Sequence, residues 1–153
     1  MLLDGDGWTR CRRGHRHWGR HGAAGLLLHH LDPGGTCWVL LQHRAWWSHH
    51  GGTWGVPGGA MARGESAVQA ALREVSEEVT VDLAAVRVTG ELADDHGAWS
   101  YTTVLADCGE RLACAPCSAE STDVRWFATE DVGGLTLHPG FAATWPQLLP
   151  LLG

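Results

Sequence analysis

The sequence predicts an α/β sandwich, and three observations lead there. Strand-like apolar segments stand on both sides of one strongly amphipathic helix in the middle of the chain. A second helical pattern closes the chain, and no internal repeat is visible. With 153 residues, 44% of them hydrophobic, the chain has enough apolar material for one globular core.

Residues 1–21 read as a basic, Arg/His-rich N-terminal extension, or a strap lying on the domain, with five Arg against two Asp and no clear period. Residues 22–153 form the domain, with six Arg against fifteen acids. Gly22 to Leu31 is a run of small residues and leucines that ends at the turn signal Asp32-Pro33-Gly34-Gly35. Thr36 to Arg44 reads as a strand, so the two segments suggest a hairpin. Ala45 to Thr53 reads as a loop. After the central helix, Val86–Leu92 and Trp99–Ala106 are strands joined by a turn at Asp94–Gly97, and residues 107–120 are a loop. Thr122 to Phe127 is another strand, and Thr129–Asp131 opens a turn or short helix. Phe141 to Leu152 closes the chain as a helix that Pro146 and Pro150 kink or shorten.

The central helix carries the chemistry. Ser66 can cap its start, with Gln69 as partner in a capping box. Val68, Leu72, Val75 and Val79 form an apolar stripe. Glu74, Glu77 and Glu78 project from the other face, where like charges three and four residues apart repel. They also lie near the helix's carboxyl end, where the macrodipole disfavours anions. Such an arrangement calls for a compensating cation, and clustered carboxylates without His suit Mg²⁺ or Mn²⁺. Upstream, Pro57-Gly58-Gly59 and Gly64 supply a loop able to bring its backbone close to a ligand.

The segment Gly59–Val81 resembles the Nudix box, G-x5-E-x7-R-E-U-x-E-E-x-G-U with U aliphatic. Gly59, Glu65, Arg73, Glu74, Val75, Glu77, Glu78 and Val81 fill eight of nine specified positions, and Thr80 replaces the remaining glycine. Trp54-Gly55-Val56-Pro57-Gly58 also resembles the family's usual lead into the box. The resemblance to the Nudix hydrolase (MutT-like) family implies a mixed β-sheet between helices over about residues 22–152. It further implies hydrolysis of a pyrophosphate bond in a nucleoside diphosphate derivative, most plausibly a (d)NTP or related small nucleotide. ADP-ribose, a nucleoside-diphosphate sugar or a dinucleotide are alternatives within the class. A nucleotide-sensing domain without turnover is the alternative outside it.

By the same resemblance Glu74, Glu77 and Glu78 bind Mg²⁺ (or Mn²⁺), with the Gly58 carbonyl as a further ligand, and Glu65 and Arg73 support them. Glu74 is one candidate for the group that takes the proton from water. Glu120 or Asp123, or an acid of the Asp94/Asp95 turn, are the others. Arg44, Trp54 and Gly59 are candidate substrate contacts, since Trp faces stack on bases and Arg binds phosphates. Trp46, Trp47, His49 and His50 stand in the same loop region.

Thr80 poses a local problem, because a residue just past a helix often takes a left-handed conformation that strains a β-branched side chain. Either the helix ends in another way or Thr80 is strained.

The net charge of -6 argues against a stable nucleic-acid partner. No apolar run reaches membrane-spanning length, and the first residues lack the pattern of a signal peptide, so a cytoplasmic protein is expected. A homodimer is an expectation from the family. Cys114 and Cys117 form a lone CxxC, read as two loop thiols in a reducing compartment. Cys11, His15 and His17 lack an identifiable fourth metal ligand.

Overall fold

The computed structural model describes residues 5–10 and 16–152. The strands are β1 (Trp8–Arg10), β2 (Arg16–Trp18), β3 (Ala23–Leu31), β4 (Cys37–Arg44), β5 (Trp54–Gly55) and β6 (Gly58–Ala60), followed by helix α1 (Ala67–Glu78). Then come β7 (Val79–Thr80), β8 (Val86–Asp95), β9 (Ser100–Cys108), β10 (Ala115–Pro116) and β11 (Ser121–Ala128). Helices α2 (Thr129–Val132) and α3 (Pro139–Leu148) close the order, with a 3-10 turn at Leu149–Leu151. Among the described residues no helix is long and apolar enough to cross a membrane.

The main sheet runs β11-β4-β3-β9-β8, with β5 beside β4 and β6 beside β3. Its pairings are antiparallel except β3 with β9, which are parallel in a register that sets Ala23 against Tyr101. Strand residues alternate between the two faces, and the sheet uses that alternation to build two cores. Leu26, Leu28, Leu40, Val104, Ala106 and Val124 face α1, while Leu27, Val39, Leu41 and Leu105 face α2 and α3. The expected sandwich and its mixed sheet are therefore present.

Two expectations need correction. The helical stripe is centred on Ala70, Ala71 and Val75, with Val68 and Leu72 only partly buried at its flank. Alanines let the helix axis approach the sheet, which brings the neighbouring glutamates close to β6. The closing helix starts earlier, because Pro139 sits in its first turn, where a missing N–H costs nothing. Pro146 is accommodated inside α3, and Pro150 lies in the 3-10 turn.

Within the N-terminal extension β1 and β2 form an antiparallel pair with Trp8 opposite Trp18. Cys11 and His15 lie outside the described residues.

Candidate active site

Strand β6 and helix α1 build the site together. A Cβ on Gly58 would collide with the Ala24 carbonyl of β3, and one on Gly59 would sit 2.5 Å from the Glu74 carboxyl carbon. Both positions therefore need glycine because backbone or carboxylate fills the space. The helix begins with the expected capping box: Gln69 N–H donates to Ser66 Oγ (3.1 Å), and Ser66 N–H donates to Gln69 Oε1 (2.9 Å).

One turn on, Arg73 ties loop to helix. Its Nε and Nη2 donate to both oxygens of Glu65 (2.8 and 2.9 Å), and Nη2 also reaches the Ala60 carbonyl (2.9 Å). Its Nη1 donates to Glu74 Oε1 at 2.9 Å and lies 3.6 Å from Glu77. This two-nitrogen fork fixes orientation in a way a lysine could not. Glu65 in turn accepts from Ala62 N–H (2.9 Å), so the loop before the helix is held as well.

The three helix carboxylates are not equivalent. Burial raises the Glu74 carboxyl above its usual range, and Arg73 opposes that shift. Burial pushes Glu78 up to about 8, reinforced by the charges of Glu74 and Glu120 and opposed by Arg44 and a hydrogen bond from the Gly58 backbone. Glu77 is more than half exposed. The Glu78 Oε2 atom is buried and has no hydrogen-bond partner. An unpaired oxygen there is costly, and a divalent cation is a group that would satisfy it. Among the described residues no group of three His, Cys, Asp or Glu side chains already stands in metal-ligating geometry. The donor set fits a hard cation in chemistry, with Glu77 the member turned outward.

Other predicted residues divide clearly. Glu120 is close enough for its charge to act on Glu78, and its carbonyl accepts from Ala45 N–H (2.9 Å). Asp123 is engaged with Arg125 (2.6 Å) and its neighbour's N–H. Asp94 pairs with His96 (2.7 Å), and Asp95 accepts from Gly97 N–H (2.8 Å). Arg44 donates to the His49 carbonyl (2.8 Å), and its charge acts on Glu78. Trp54 packs edge-on against Phe127 and His43, at the rim of the α3-side core.

Three neighbours escaped the sequence reading. Tyr101, the only tyrosine, has its hydroxyl over Gly25, where a Cβ would collide with it, and feels the charges of Glu78 and Glu74. Asp6 also acts on Glu74. His138 caps α3 by accepting from Gly140 N–H at 3.0 Å, and burial with nearby His50 and Arg44 lowers it to about 4. Each comes from a segment remote from the box, and the Tyr101 singleton was the one signal available.

The helix ends without strain at Thr80. Val79 leaves α1 in an extended conformation, and the Val79–Thr80 strand pairs with Ala115–Pro116. Among the described residues the only non-glycine with positive φ is His50. Cys114 and Cys117, both free thiols, flank that short β10 strand.

A mixed sheet between helices, with a glycine strand laid against a helix tied to its preceding loop by the Glu65–Arg73 pair, defines a class of hydrolytic domain. The NUDIX domain description matches residues 19–149, and the chain belongs to the Nudix family of pyrophosphohydrolases. A Mycobacterium tuberculosis protein named "Putative 8-oxo-dGTP diphosphatase 3" is 52% identical over 151 residues, covering 95% of this chain and 69% of the relative. A Bifidobacterium longum nucleoside triphosphate pyrophosphatase/Nudix hydrolase fusion protein is 43% identical over 147 residues, 94% of this chain but 30% of that protein. Among solved structures, the Nudix hydrolase RenU of M. smegmatis superimposes with a TM-score of 0.78 at 48% identity, covering 96% of this chain and 94% of its own.

Proposed function

We propose that this enzyme hydrolyses a pyrophosphate bond of a nucleoside triphosphate, with a divalent cation, Mg²⁺ or Mn²⁺, held by Glu74, Glu77, Glu78 and the Gly58 carbonyl. The observation that carries the reading is the buried, unpartnered Glu78 oxygen beside Glu74 and the Arg73 fork. When bound, such a cation neutralises phosphate charge and acidifies an attacking water. Arg73 orients both carboxylates, Glu65 and Glu74, holds Glu65 below its usual range and opposes the rise that burial imposes on Glu74. We assign the proton from water to Glu120, an exposed acid whose charge acts on Glu78. Arg44 supplies positive charge for the phosphates.

The substrate to try first is an oxidised purine deoxynucleoside triphosphate, on the strength of the name carried by the 52% identical relative. A panel of 8-oxo-dGTP, the ordinary (d)NTPs, ADP-ribose and a dinucleotide polyphosphate, assayed with Mg²⁺ or Mn²⁺, tests this. Nucleoside triphosphates are expected to turn over fastest. Glu77→Gln and Glu78→Gln should lose metal-dependent turnover while remaining folded. Nucleotide binding without any product would favour the sensing domain, and unchanged rates in both variants would reject the ligand set.

A further inference from the structure

The N-terminal hairpin is built against the site rather than beside it. Gly5 and Gly19 lie so close to the main chain that a Cβ on either would strike the Met61 or Gly22 carbonyl. Arg20 N–H donates to the Gly5 carbonyl (2.7 Å) and Gly19 N–H to Gly7 (2.8 Å), while Met61 N–H donates to Gly22 (3.0 Å). The hairpin therefore rests on the stretch whose Ala60 carbonyl holds Arg73. Asp6, at its base, is near enough to act on Glu74.

Its two faces differ. On one, His17 stacks on the ring of Trp99 at a centroid distance of 3.8 Å and an interplanar angle of 7°. Alternation along the strands then places Trp8, Trp18 and Arg16 on the other face. Trp8 and Trp18 meet edge to face at 5.5 Å and remain 46% and 42% exposed. Trp8 also meets the His49 ring edge to face at 5.4 Å, and Arg16 lies over Trp8 at 4.6 Å from its centroid. The His49 carbonyl is the acceptor for Arg44, whose charge reaches Glu78. The exposed aromatic face thus adjoins His49, whose carbonyl holds Arg44, a cation whose charge acts on Glu78.

We propose that Trp8, with Trp18 at its edge and His49 across from it, is the stacking subsite for the purine base of a nucleotide whose phosphates lie at the carboxylates. This rests on the function proposed above. Indole faces suit a flat base, and a guanidinium resting on an indole occupies the kind of surface a base takes. A two-ring purine overlaps this face more fully than a pyrimidine, so purines should bind more tightly.

The test measures equilibrium binding to the full chain with Mg²⁺ of dGTP and of tripolyphosphate, which lacks a base, both with their bridging oxygens replaced by imido groups so that neither is hydrolysed. Replacing an aromatic platform by alanine weakens base binding by about tenfold or more, and that loss is expected for Trp8→Ala and Trp8→Leu with dGTP. Tripolyphosphate binding should stay within about twofold, and Trp8→Phe should keep most dGTP affinity because the ring face is retained. If Trp8→Ala and Trp8→Leu bind dGTP like the unaltered protein, the subsite is wrong while the hydrolase reading stands. Equal loss of both ligands makes the hairpin a structural strap and overturns the stacking role. If the unaltered protein binds no nucleotide, both readings fall.

Discussion

Cys117 closes the end of the helix that carries the acids: its backbone N–H donates to the Glu78 carbonyl at 2.9 Å. Its thiol lies 3.3 Å from the Glu77 carbonyl, and β10 pairs with Val79 and Thr80. Helices often satisfy their last carbonyls through a left-handed glycine. Here a distant loop supplies donors instead, which is why a β-branched residue is tolerated at position 80. Strand geometry suits threonine.

Restoring glycine at that position should therefore not help. Thr80→Gly is expected to lower stability by roughly 0.5–1 kcal/mol through added backbone freedom, with catalysis little changed. Thermal denaturation checks it, and a higher melting temperature would show that the turn prefers glycine.

Gly59 makes a sharper prediction. A methyl group there would stand 2.5 Å from the Glu74 carboxyl carbon, so Gly59→Ala must displace Glu74 from Arg73 or move β6. Displacing an orienting contact in such sites typically costs about 10–100-fold in affinity or activity. Steady-state kinetics with a circular dichroism spectrum like that of the unaltered protein would establish the effect.

Arg73 should resist conservative replacement. Arg73→Ala leaves the partly buried Glu65 and Glu74 without their shared cation, at a cost of about 3 kcal/mol in unfolding free energy. Arg73→Lys should recover only part of it, because one ammonium cannot reproduce the fork. Urea titrations of the two variants report the difference directly.

His138 sets an acid-side limit. Its folded value of about 4 lies below the ordinary 6.5, with burial as the main cause. Above pH 6.5 the ring is neutral in both states and its full contribution to stability is present. As pH falls toward 4, the unfolded chain takes the proton first, and stability drops by about 1–2 kcal/mol for this half-buried ring. His138→Asn retains a capping side chain and should flatten that slope. An unaltered slope in melting temperature between pH 6.5 and 4 would assign the loss to other groups.

Much of this arrangement could be read from the residues alone. The capping box, the Glu65–Arg73 pair and the glycine loop are short-range features, and local spacing specifies them. The unequal burial of Glu74, Glu77 and Glu78 was not legible, because it depends on alanines drawing the helix onto the sheet. Asp123, Asp94 and Asp95 looked like Glu120 in sequence, yet each is engaged with neighbours on its own strand or turn. The N-terminal segment reads as an extension or strap, but its strand pairing was not legible, because three-residue strands carry too short an alternation to recognise. Its place is fixed by glycines whose partners lie in other segments.

Strand β3 begins between β6 and β9 and ends between β4 and β9. The glycine strand is held in place by Ala23–Gly25, which are themselves set by parallel pairing with residues 101–103. Parallel contacts between segments so far apart along the chain form slowly, since loop closure must precede them. In refolding, α1 should gain its helical signal before the site gains activity. Competence then reports the completion of the whole sheet rather than the formation of the helix that carries the acids.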